Sequence, residues 1–168
     1  MALFKNGSFV PDEWRPLEQG EEVPPSGKVL LTAAQWVALE GLAAFADAPL
    51  GLLIEPGQDL EALAPGLERL ALLAVVFPKF TDGRGYSLAR KLRKHYGYKG
   101  ELRARGDILF DQIQLLARCG FDSFEIKDPA TLRLLEAGRK PFFRIYYQPG
   151  ATGESQERSR RWARRAAL

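Results

Sequence analysis

Short apolar runs alternate with segments of helical periodicity from Lys28 to Tyr147, and this alternation limits the folds open to the chain. Lys28 to Leu31 is the first run. Thr32 and Gln35 form a capping box that opens a helix predicted to reach Ala46, with Trp36, Leu39, Leu42 and Ala43 on one stripe. Leu50 to Ile54 is a second strand, and Asp59 caps a helix carrying Leu60, Leu63 and Leu67. Leu70 to Phe77 is almost wholly apolar, as expected of a strand covered on both faces. A helix follows to about Tyr96. Glu101 to Arg105 is a strand in which polar residues alternate with Leu102 and Ala104. Asp107 is placed as the cap of a helix ending at Cys119, and Ser123 to Ile126 is the next strand. Asp128-Pro129 starts a helix that Gly138 ends, and Phe142 to Tyr147 reads as a last strand.

Strands separated by helices and short loops mean βα units and a parallel sheet. The expected fold is α/β, with a mostly parallel sheet of five to six strands. Its order is either sequential and half-barrel-like or doubly wound. The sequential order is favoured, because consecutive strands usually neighbour each other. Before this core, Asn6-Gly7 between Leu3-Phe4-Lys5 and Ser8-Phe9-Val10 signals a hairpin. Pro11 to Gly27 reads as an irregular arm with Trp14 and Leu17 tucked in. The division is one domain over 1–150, made of a hairpin and arm over 1–27 and a βα core over 28–147. An Arg-rich, flexible tail occupies 151–168.

At 168 residues the chain can bury a core without staples. Its one cysteine, Cys119, forms no internal disulfide, and with the single His95 it cannot assemble an iron–sulfur or zinc site. Met1 to Val10 shows no secretory pattern and no apolar run is long enough to span a bilayer, so a cytoplasmic protein without a membrane partner is expected. The net charge is only +3, and Arg158, Arg160, Arg161, Arg164 and Arg165 crowd the tail, where Trp162 could anchor an acidic partner. Nucleic acid is disfavoured, because basic residues interleaved with stacking aromatics are lacking.

Ligands of parallel sheets sit beyond the carboxyl ends of the strands. That rule gathers Glu55, the loop after Phe77, Arg105-Gly106-Asp107 and Lys127-Asp128. Gly83 and Gly85 flank Arg84 where a helix begins, so backbone N–H groups, Lys79, Thr81, Arg84, Ser87 and Arg105 are candidates for holding a small oxyanion. The competing structural explanation is that Arg84 pairs with a nearby carboxylate while Gly85 packs its helix closely. Asp82 and Asp107 are the candidates for handling protons. Leu88 stands where a dinucleotide fingerprint would continue with Gly, and the Walker Gly-Lys-Ser/Thr is absent. The cofactor stays unknown, with flavin left open.

The run Phe77-Pro78-Lys79-Phe80-Thr81-Asp82-Gly83-Arg84-Gly85-Tyr86-Ser87-Leu88-Ala89-Arg90 resembles a family of small bacterial proteins. Tyr96-Gly97-Tyr98-Lys99-Gly100-Glu101-Leu102-Arg103-Ala104, Gly106-Asp107, Asp111-Gln112 and Arg118-Cys119-Gly120-Phe121-Asp122 extend the likeness, over roughly Lys28 to Tyr147. Members carry the label of oxidoreductases of sulfite reduction, and their genes accompany those of assimilatory sulfite reductase. The resemblance implies a role in sulfur assimilation, with sulfite reductase or its electron donor as partner. Enzyme, accessory protein and homodimeric scaffold all remain open on the residues.

Overall fold

The computed structural model describes residues 2–24, 26–39 and 49–141. Among them eight strands form one curled, half-barrel sheet in the order β2-β1-β8-β7-β6-β5-β4-β3. These are β1 (Ala2–Lys5), β2 (Ser8–Val10), β3 (Trp14–Pro16), β4 (Lys28–Leu31), β5 (Leu50–Ile54), β6 (Leu72–Phe77), β7 (Glu101–Gly106) and β8 (Ser123–Ile126). From β3 to β8 all neighbours are parallel, whereas β1 runs antiparallel to both β8 and β2. The sequential order rules out the doubly wound alternative.

The expectation of five to six strands was too low for two reasons. Asn6 and Gly7 both take positive φ, 53° and 82°, so the hairpin forms as predicted, but it then joins the sheet through β1. The second reason lies in the arm, where Trp14–Pro16 pairs with Lys28–Leu30 as an edge strand. An edge tolerates the missing N–H of Pro16. Leu17 is buried, as the arm reading required.

Only Pro11, Asp12 and Glu13 separate β2 from β3, the two edges of the sheet. Four chain steps span at most about 14 Å. Eight flat strands would put those edges about 34 Å apart. The sheet therefore has to curl.

The helices are α1 (Ala33–Ala38), α2 (Leu60–Leu63), α3 (Arg84–Lys94), α4 (Gln112–Cys119) and α5 (Pro129–Glu136). Their apolar residues, among them Trp36, Leu63, Leu92, Leu116 and Leu135, share one core with Leu31, Leu52, Ile54, Val75, Ala104 and Ile126 of the strands. The opposite face of the sheet holds a smaller cluster of Leu30, Leu72 and Ala74 with Trp14 and Leu53. A Cβ on Gly51 would lie 2.9 Å from the Trp14 ring, so the glycine makes room for the indole.

Thr32 and Gln35 make the predicted capping box, and Asp59 and Asp128 cap α2 and α5. Gly138, at φ 71°, ends the α5 turn. The Asp59 helix is shorter than expected: it stops at Leu63 ahead of Pro65, and Leu67–Arg69 forms a separate 3-10 turn. Asp107 is not a helix cap. Asp111 holds the N-cap position of α4, and Asp107 instead accepts a hydrogen bond from the Phe80 backbone. The first helix, predicted to reach Ala46, ends at Ala38, where Leu39 leaves helical geometry at ψ 82°. Residues 40–46, the predicted strand Phe142 to Tyr147 and the tail from 151 to 168 lie outside the described residues. No helix among the described residues is long and apolar enough to cross a membrane.

Candidate functional site

At the carboxyl ends of β6 and β7, two loops are stitched together. The Asp107 N–H donates to the Phe77 carbonyl at 2.9 Å, and a carboxylate oxygen of Asp107 accepts from the Phe80 N–H at 2.9 Å. Gln112, in the first turn of α4, donates from Nε2 to the Phe80 carbonyl at 2.6 Å. Gly106 sits at φ 120°, where a Cβ would fall 2.3 Å from the Phe77 carbonyl oxygen, so only glycine permits this approach. Both backbone groups of Phe80 are thus hydrogen-bonded, yet the residue is 46% exposed. Lys79 and Thr81 on either side are exposed as well.

The segment from Lys79 to Ser87 brings seven of the candidates together, but its arginine already has a carboxylate. Arg84 donates to Asp82 from Nε at 3.0 Å and from Nη2 at 2.7 Å, while the Arg84 backbone N–H donates to Asp82 Oδ1 at 3.1 Å. Asp82 therefore occupies the place at the start of α3 where an external anion would sit. The hydrogen bonds from Arg84 hold its carboxyl at about 2, well below the usual carboxylate range. Gly83 has φ −75° and does not use the freedom of glycine. Gly85 is buried, and a Cβ there would meet the Phe77 ring at 2.4 Å. Its role is close packing of α3 against β6. Ser87 lies exposed on α3.

Arg105, the remaining candidate, belongs to the inner face of the sheet. Its Nε lies 3.2 Å from Glu125 Oε1 on the neighbouring strand, within ion-pair range but outside hydrogen-bonding geometry. Burial pushes the Glu125 carboxyl up, against the opposing pull of Arg105 and Lys127. Toward the amino ends of β7 and β8, Arg103 donates to Glu101 from Nε and Nη2 and to Asp12 from Nη1 at 2.9 Å. Glu101 also accepts from Lys5 at 2.5 Å and from the Ser123 hydroxyl at 2.7 Å. Burial pushes Glu101 up, but hydrogen bonds from Lys5 and Ser123 and the Arg103 charge outweigh it and leave the carboxyl below its ordinary value.

Sequence reasoning noted the alternation in β7 but did not place Glu101, Arg103, Arg105 and Glu125 in one interior cluster. The missing signal was the Pro11–Glu13 bridge, which curls the sheet around them. Cys119 is buried. His95 is exposed and packs edge-on against Tyr96. Among the described residues, no group of three or more His, Cys, Asp or Glu side chains is placed to hold a metal ion.

These features define a small α/β protein with a curled, mostly parallel sheet, a charged interior and a braced rim at the strand carboxyl ends. The chain belongs to the family described as "Bacterial protein of unknown function (DUF934)", whose profile matches residues 51–157. That match takes in the rim, α3 and the β7–β8 charges, while β1 to β4 precede it. No curated protein matches the chain in sequence.

Proposed function

We propose that this protein serves sulfite reduction as an accessory that docks to sulfite reductase or to its electron donor. The pathway rests on the resemblance carried by Phe77 to Arg90 and its extensions to Asp122. Docking rests chiefly on Phe80, an exposed aromatic whose backbone is fixed by Asp107 and Gln112. An aromatic presented on rigid backbone loses little entropy when a partner covers it, which suits an interface anchor.

The enzyme alternative has less support from the geometry. An oxyanion at Lys79 and Arg84 would have to displace the Asp82 carboxylate. With its carboxyl at about 2, Asp82 is poorly matched to proton transfer near neutral pH. Asp107 is committed to the Phe80 backbone.

Deletion of the gene should permit growth on sulfide or cysteine but not on sulfate or sulfite. Normal growth on all four sulfur sources would overturn the pathway. For docking, the purified chain should retain sulfite reductase or its electron donor on a column, and Phe80→Ser should release it. Retention unchanged by that substitution would remove the rim from the interface.

A further inference from the structure

The charges of this chain are distributed far less evenly than its net +3 suggests. Residues 1–78 hold four Lys and Arg against eleven Asp and Glu, a net −7. Residues 79–99, the rim loop with α3 and its exit, hold seven cations against the single carboxylate of Asp82, a net +6. The net charge of this short segment exceeds that of the whole chain.

Geometry divides those cations into two groups. Arg84 pairs with Asp82, and Arg93 pairs with Asp122 at 2.5 Å while also donating to the carbonyls of Tyr98, Gly100 and Gly120. Arg93 is part of the architecture. Arg90, Lys91 and Lys94 are exposed and enter none of the ion pairs found among the described residues. Lys91 lies over the Tyr96 ring at 5.7 Å. The helix dipole favours cations in the last turn of α3, which accounts for Lys94 more readily than for Arg90 in the middle of the helix or Lys79 before it. Arg90 and Lys94 are also four residues apart, a spacing at which like charges repel.

We infer that Arg90, Lys91 and Lys94, with Lys79 and Phe80 at the upper end, form a docking ridge for an acidic protein surface. The α3 axis is about 16 Å long at 1.5 Å per residue, so the ridge offers a cationic strip with an aromatic anchor at one end. The complementary partner is an Asp/Glu-rich patch beside an apolar socket. A single-stranded nucleic acid fits less well, because stacking bases need open aromatic faces interleaved with the cations. Here Tyr96 is half-buried with Lys91 over its ring, which leaves Phe80 as the exposed large aromatic among the described residues of this segment. The inference rests on the docking reading above and adds the partner's surface chemistry.

The test measures binding of the full chain to purified sulfite reductase and to its electron donor, at low and high ionic strength. The substitutions Arg90→Gln, Lys91→Gln and Lys94→Gln are combined in one variant, with circular dichroism confirming its fold. Association should slow roughly tenfold in the variant and lose most of its salt dependence, with dissociation little changed. Phe80→Ser should act the other way and quicken dissociation. Wild-type rates in the triple variant would overturn the ridge while leaving docking intact. If wild type binds neither protein, the docking reading fails, and the ridge is judged on poly-L-glutamate against poly-U. Binding of polyglutamate that the triple variant loses would sustain it; preference for poly-U, or binding of neither, would overturn it. A dimer of the wild type that the triple variant dissolves would likewise replace the acidic partner with a second copy of this chain.

Discussion

Inside the curled sheet, Arg103 is 3% exposed and directs all three guanidinium nitrogens at the carboxylates of Glu101 and Asp12. On α3, Arg90, Lys91 and Lys94 are exposed and enter no ion pair found among the described residues. The same residue types therefore meet opposite treatment a few strands apart. A charge removed from water is costly unless it is paired and hydrogen-bonded, so the interior tolerates Arg103 only as part of a network. An exposed charge carries no such cost and can be left free for a partner. Interior charges are accordingly bound up in the fold, and function is better sought among the exterior ones.

The comparison breaks most visibly at Arg103. Arg103→Met leaves Glu101 and Asp12 without their central cation, and removing one member of a buried ion pair costs about 3–5 kcal/mol. Denaturant unfolding should show a loss of that order. Adding Glu101→Gln should recover little of it, because Glu101 keeps Lys5 and Ser123 as partners and the second change would remove the Lys5 ion pair as well. A loss below about 1 kcal/mol in the single variant would mean that the interior network is as dispensable as a surface pair.

A smaller effect is expected where the rim meets the core. Gly85→Ala places a methyl 2.4 Å from the Phe77 ring, itself packed on Tyr86 and Phe121. Overpacking of this kind costs about 1–3 kcal/mol. The displacement should also loosen the braced loop, so weaker partner binding should accompany lower stability. Stability without change would show that α3 slides outward freely and that the glycine serves another purpose.

The fold was legible in the sequence wherever one segment carried its own signal. Asn6-Gly7, the Thr32–Gln35 capping box, Leu50 to Ile54 and Asp128-Pro129 all depend on neighbours in the chain, and each formed as expected. What stayed hidden depends on distant pairing. Trp14–Pro16 has too few residues and too much proline to announce a strand, and it becomes one only because β4 lies beside it. Asp107 looked like a cap because it precedes an apolar run, yet the Phe80 N–H claims its carboxylate from 27 residues away. At the candidate site, the structural alternative read from the sequence is what formed: Arg84 pairs with a nearby carboxylate and Gly85 packs α3 closely on Phe77. The sequence left open only that the carboxylate would be Asp82, since an adjacent side chain is equally free to face solvent.

The two interior glutamates separate by pH. Glu125 is raised from its ordinary 4.5, chiefly by burial, so the folded chain holds this proton more tightly than the unfolded chain does. Its contribution to stability is full below the ordinary value and is lost as pH rises through the raised one. Glu101 is lowered, so its contribution is present above the ordinary carboxylate value and lost as pH falls through the depressed one. Glu125→Gln should flatten the decline on the alkaline side of the carboxylate range, and Glu101→Gln should flatten the acid-side loss. Identical pH profiles for the two variants would show that Arg105 and Arg103 hold their carboxylates alike, and the internal contrast would vanish.

The smallest stability change should come from the triple Gln variant of Arg90, Lys91 and Lys94. Gln matches Lys and Arg closely in helix propensity. Removing the Arg90–Lys94 repulsion offsets what the helix dipole loses at its C-terminal end. Exposed substitutions away from specific contacts usually shift stability by less than about 0.5 kcal/mol each, and the midpoint of urea unfolding should barely move. That near-neutrality is what gives the binding experiment its force. If the variant unfolds far earlier than wild type, these cations do hold the fold together, and the division between a structural interior and a free exterior fails at its exterior half.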